Sequence, residues 1–121
     1  MRTGSRDRSV LEHMISYCEE IEKAVGRFGN SYEAFAADSL YRHACAMCIL
    51  QIGELTGHLS EEFRKEHGEM PWAEMRAMRN VAAHAYGHIS VKMTWRTILE
   101  DIPALKRFCL DALSEFSENE K

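Results

Sequence analysis

Between Met78 and Tyr86 the chain reads Met-Arg-Asn-Val-Ala-Ala-His-Ala-Tyr, which gathers a fixed cation, a titratable imidazole and a phenol into one short stretch. Arg79 keeps its charge at any working pH and can grip a phosphate oxygen. His84 exchanges a proton near neutrality, and Tyr86 carries a hydroxyl that can donate, accept or take a covalent group. Together they suit phosphodiester chemistry without a metal. Arg76, Lys92 and Arg96 lie nearby in the second half of the chain and add to a local basic patch. Arg76 and Lys92 are the candidates for further RNA contacts.

Helices must hold these residues. Leu11, Met14, Ile15, Cys18, Ile21, Val25 and Phe28 recur at three- and four-residue steps with Glu12, Glu19, Glu20, Glu22 and Lys23 between them, which predicts an amphipathic helix over about residues 7–27. Asn30 and Ser31 read as turn or cap residues, Tyr32 to Ala36 as a short turn or extended piece, and Asp38 or Ser39 as the next start. The set Leu40, Ala44, Met47, Cys48, Gln51, Ile52, Leu55, Leu59 and Phe63 predicts one long second helix to about Lys65, with Gly53 and Gly57 as weak spots that permit close packing. Pro71 suits the first turn of a third helix, whose inner face is Trp72, Met75, Met78, Val81 and Ala82. That helix is expected to fade between Ala83 and Gly87, so the motif straddles a helix end. A fourth helix follows through Val91, Trp95, Ile98 and Leu99, and Pro103 kinks or restarts it before Leu105 to Phe116. No stretch alternates with period two. The expectation is an all-α, up-and-down antiparallel bundle of four principal helices, one of them kinked or split.

The chain has 121 residues and a net charge of −4, with 45% hydrophobic and 28% charged residues. This fits a single domain over residues 1–121 with short flexible termini. So small a bundle has little room for an enclosed pocket, and a groove or an interface between two copies is the natural source of concavity. An acidic total argues against a non-specific nucleic-acid coat, so any RNA contact must be local. No apolar stretch approaches a membrane span, and a cytoplasmic location is expected. Cys18, Cys45, Cys48 and Cys109 fall within apolar helical patterns and read as reduced, buried thiols.

The run Arg79-Asn80-Val81-Ala82-Ala83-His84-Ala85-Tyr86 resembles the Arg-x4-His-x-Tyr motif of the HEPN superfamily, in particular the HepT-like toxins paired with minimal nucleotidyltransferase antitoxins. The similarity extends to Tyr41-Arg42-His43 through Gln51-Ile52-Gly53-Glu54-Leu55, to Pro71-Trp72 with Met78-Arg79-Asn80, and to the segment from Val91 to Leu105. It covers Leu11 to Phe116. The resemblance implies an HEPN-like bundle and a metal-independent endoribonuclease toxin, needing no cofactor, whose homodimer brings two copies of the motif together. It also implies that Arg79 and His84 are catalytic, that Asn80 supports them, and that a nucleotidyltransferase antitoxin silences the enzyme by attaching AMP to Tyr86.

Plainer readings exist for each residue. Arg79 is also an ordinary surface arginine, His84 a helix-end histidine that caps carbonyls, and Tyr86 a ring that packs with its hydroxyl outward. Glu54 is either an exposed-face residue or a supporting carboxylate that orients Arg79. His84 and His88 share a four-residue spacing and Cys45-x-x-Cys48 has a zinc-like separation, but Gly87 interrupts the first and the second lacks a partner pair, so no metal site is expected. At the level of the whole chain, the alternative to a nuclease is a non-catalytic helical substrate-binding partner of a nucleotidyltransferase.

Overall fold

The computed structural model describes the backbone of residues 3–83 and 91–119 and the side chains of residues 6–77 and 91–116. Its elements in chain order are α1 (Thr3–Phe28), α2 (Tyr32–Ala37), α3 (Ser39–Thr56), α4 (Glu61–Glu66), α5 (Trp72–Ala83), α6 (Val91–Arg96), a π-helical turn (Thr97–Asp101) and α7 (Ile102–Asn119). Among the described residues the chain is all-α, as expected.

The apolar spacing of α1 buries Leu11, Met14, Cys18 and Ile21, each at most 1% exposed. Removing such side chains from water stabilises the fold by roughly 1.5–3 kcal/mol apiece for the larger ones. The helix ends at Gly29, whose φ of 119° lies in the left-handed region and whose N–H donates to the Val25 carbonyl at 3.0 Å. Glycine occupies that conformation without the strain a Cβ would bring.

Cross-helix contacts fix the directions. Along α1, Asp7 meets Ser60 just beyond α3, and Phe28 stacks on Tyr41 at the start of α3 with ring centroids 5.2 Å apart. The two helices therefore run antiparallel. Against α7, Cys18 approaches the Ile102 carbonyl, Met14 approaches Cys109, and Arg8 stands over the Phe116 ring. As residue numbers fall on α1 they rise on α7, so this pair is antiparallel too. α5 packs against α3, and a single core takes residues from every helix from α1 to α7.

Four local expectations need correction. Tyr32 to Ala36, expected as a short turn or extended piece, lies in a six-residue helix, Tyr32–Ala37, because the Ser31 hydroxyl accepts from the Ala34 N–H at 3.1 Å and caps it. The long second helix is two helices. α3 stops at Thr56, and Ser60 starts α4 by accepting from the Phe63 N–H at 3.0 Å. Buried Asp7 holds Ser60 there, accepting its N–H at 2.8 Å and its hydroxyl at 2.7 Å, a tertiary bond across 53 residues of sequence.

The inner face of α3 is rotated from the predicted one. Tyr41, Cys45, Ile49, Ile52 and Thr56 point inward, whereas Leu40 and Met47 are 66% and 54% exposed. Two polar residues occupy the inner stripe because both are satisfied: the Tyr41 hydroxyl donates to the Gly29 carbonyl at 3.0 Å and that of Thr56 to the Ile52 carbonyl at 3.0 Å. Leu99, taken for a core position, is 50% exposed. It sits in the π-helical turn just before Pro103, whose ring would clash with the carbonyl four residues back in a regular helix, so the widened turn fits the expected kink.

Candidate functional site

α5 carries the first residues of the motif, and its anchoring begins at Trp72. The Trp72 indole N–H lies 3.1 Å from the Arg64 carbonyl and 3.0 Å from the His67 carbonyl, donating to both at the end of α4. Its ring packs near Phe63 and Phe108, with centroids 6.2 and 5.6 Å away. Phe63 in turn stacks on Phe116 at 6.2 Å, nearly parallel. This aromatic knot ties the start of α5 to α4 and α7. Met75, one turn further on, is buried against the core.

The opposite side of α5 faces a groove. A concavity of about 780 Å³ is lined by Gly53, Glu54, Gly57 and His58 from the end of α3 and by Ala73, Arg76 and Ala77 from α5. Gly53 and Gly57 on one wall and Ala73 and Ala77 on the other leave room for it. Arg76 lies along this floor. A methyl group added to Gly57 would stand 3.6 Å from the Arg76 guanidinium carbon, an ordinary van der Waals contact.

Of the predicted site residues, Glu54 and Arg76 are thus brought to one groove. Arg79 and Asn80 follow Arg76 on α5 by three and four residues, so their backbone positions continue its groove-side strip; their side chains lie outside the described residues. His84 and Tyr86 lie wholly outside them. Lys92 is exposed on α6 and does not line the groove. Arg96, the last residue of α6, pairs with Glu100 of the π-helical turn at 3.8 Å, both side chains being exposed.

Other conspicuous residues are structural. Tyr41 is buried, and burial pushes its phenol up to about 12. Arg42 donates to the Phe35 and Ala36 carbonyls and closes the end of α2. Burial likewise pushes the thiols of Cys18, Cys45 and Cys109 up to about 12 and that of Cys48 up to about 11. Such thiols are neither nucleophiles nor ready metal ligands. Among the described residues no group of three or more His, Cys, Asp or Glu is placed to hold a metal ion.

His58 is exposed and also lines the groove. Nothing in its local sequence marks it, since it follows the last turn of α3 and reaches the wall only because the chain turns there toward Ser60.

The family model described as Ribonuclease HepT-like matches residues 14–112. This chain belongs to the HepT-like ribonuclease family. The HepT-like chain is 35% identical over 100 residues to a candidate RNase of Caldanaerobacter subterraneus subsp. tengcongensis, covering 83% of this chain and 88% of that one. It is 34% identical over 99 residues to a probable ribonuclease HepT of Thermococcus cleftensis, covering 82% and 88% respectively. A candidate RNase of Methanocaldococcus jannaschii is 30% identical over 76 residues, covering 63% of this chain and 70% of its own. No solved structure matches. The ribonuclease class expected from the motif is therefore the class of the family. No helix among the described residues is long and apolar enough to cross a membrane.

Proposed function

We propose that this chain is a metal-independent endoribonuclease toxin that works as a homodimer through Arg79 and His84 and is silenced when a nucleotidyltransferase antitoxin attaches AMP to Tyr86. The observation that carries the reading is membership of the HepT-like ribonuclease family across residues 14–112, in a chain where Arg79 and His84 are five residues apart.

The chemistry follows from the residue types. An imidazole takes the proton from a ribose 2′-hydroxyl, the freed oxygen attacks the adjacent phosphorus, and the bond from phosphorus to the 5′-oxygen breaks. A second acid returns a proton to that leaving oxygen, and the strand ends as a cyclic phosphate and a 5′-hydroxyl. In a two-fold dimer the two copies of His84 serve as base and acid. Arg79 neutralises the charge that builds on the non-bridging phosphate oxygens. Asn80 and Glu54 support the cation, Glu54 from across the groove. A guanidinium and two imidazoles supply both charge stabilisation and proton transfer, which is why no metal enters the scheme.

The test is cleavage of a labelled RNA by the purified chain in EDTA. The wild-type protein is expected to cut it, and His84→Ala to lose roughly 10²- to 10⁴-fold in rate. Intact RNA with the wild-type protein would instead favour a non-catalytic binding partner of a nucleotidyltransferase. Activity that chelation abolishes would show that a metal takes part.

A further inference from the structure

We infer that the groove between α3 and α5 is a ribose–phosphate subsite that holds the RNA strand beside the scissile linkage, with Arg76 gripping a phosphate that does not react. The inference rests on the ribonuclease reading above and adds to it a binding site separate from the Arg79 and His84 motif.

Three observations converge on it. The first is the wall. Gly53, Gly57, Ala73 and Ala77 keep the groove's floor, among the described residues, free of large apolar side chains. A sugar–phosphate backbone needs only room and polar partners, and the groove offers both. The volume of about 780 Å³ is ample for such a unit.

The second is the cation. Arg76 is exposed, lies on the backbone of Gly57, and has no carboxylate or carbonyl partner among the described residues. In a chain with 19 acidic side chains against 15 basic ones, a guanidinium left unpaired over a concave floor is available to an external anion. It offers several N–H donors in a rigid fork suited to phosphate oxygens. His58 on the facing wall contributes a ring nitrogen. Glu54, assigned above to supporting Arg79, is the acidic side chain of the described lining.

The third is register. Arg76 precedes Arg79 by three residues on α5, a rise of about 4.5 Å along the helix axis. A strand laid along α5 meets Arg76 first and Arg79 next. The subsite therefore fixes the strand's path into the motif without reading its bases, and Arg76 is a positioning residue.

The experiment measures binding of a fluorescein-labelled single-stranded RNA by anisotropy, in the His84→Ala background so that the strand survives, between about 50 and 200 mM salt. Arg76→Gln is expected to weaken binding about tenfold. It should also flatten the salt dependence of log K by about 0.7, the loss of one phosphate contact on a single strand. Arg76→Lys should keep most of the slope. Gly57→Leu, tolerated by a helical backbone but filling the floor, should weaken binding as Arg76→Gln does. In the cleaving enzyme, Arg76→Gln should raise KM with kcat unchanged. Unchanged affinity and slope in Arg76→Gln, or a fall in kcat at constant KM, would overturn the inference. RNA left intact by the wild-type chain but bound through Arg76 would preserve the subsite and remove the nuclease. RNA that is cut while Arg76→Gln binds normally would do the reverse.

Discussion

Two phenols of this chain have opposite prospects, and the difference is chemical. Tyr41 is fully buried, its hydroxyl donates to the Gly29 carbonyl, and burial pushes its pKa up to about 12. A nucleotidyltransferase cannot reach it, and its oxygen does not ionise near neutrality. Tyr86, proposed as the AMP acceptor, follows His84 by two residues. An adenylate there would set a bulky anion against Arg79 and compete with the substrate phosphate for the cation. Co-expression with a cognate nucleotidyltransferase should therefore add adenylate mass to the peptide containing Tyr86 and none to that containing Tyr41. Tyr86→Phe should abolish the addition; adenylate found on another residue would sink the assignment.

Among the elements, α4 shows how a helix of six residues can be worth placing. Its start depends on a capping serine that is itself held from a distance. Ser60 caps Phe63, and Asp7 on α1 accepts both the Ser60 N–H and its hydroxyl while only 2% exposed. Removing the carboxylate leaves a half-buried N–H without its acceptor and frees the cap to rotate. Asp7→Ala should thus cost about 2–3 kcal/mol, read as a lower urea midpoint with the slope m unchanged. A loss under about 0.5 kcal/mol, the range of ordinary surface substitutions, would mean the cap does not depend on α1. The consequence reaches the site. α4 carries Phe63 and the carbonyls that hold Trp72, so a loosened α4 releases the start of α5, the helix that carries Arg76 and Arg79.

For the whole molecule, burial of the thiols sets a limit at high pH. Cys18, Cys45 and Cys109 are fully buried, and burial raises each from an ordinary value of 9.0 to about 12. Folding favours the protonated thiol, so the stabilisation is complete below pH 9 and declines as pH climbs toward 12. Above pH 9 the unfolded chain has released these protons and the folded one has not. Stability should fall by up to about 1.4 kcal/mol per pH unit for each such thiol. Urea midpoints from pH 8 to 11 should show this decline, and Cys18→Ala with Cys109→Ala should flatten it. A midpoint constant over that range would contradict the burial of these groups.

What the sequence determined by itself was whatever depends on local pattern. Residues spaced at three and four steps made α1 and α7 legible because such a helix exposes one stripe and buries the other wherever it lies. Asp38 announced a helix start because a capping side chain acts on its own neighbours, whereas the helix that Ser31 caps was read only as a turn or extended piece. The Arg79 to Tyr86 spacing, together with the helical pattern around it, pointed to the family. Tertiary structure decided what distant partners control. The inner face of α3 could not be read from hydrophobicity, because Tyr41 and Thr56 are buried with satisfied hydroxyls while Leu40 and Met47 are left outside. The break between α3 and α4 depended on Asp7, far away in sequence. The groove arose in the same way: Gly57 and Arg76 are ordinary residues until α3 and α5 pack together, and only then does a guanidinium lie across a floor with room for an anion.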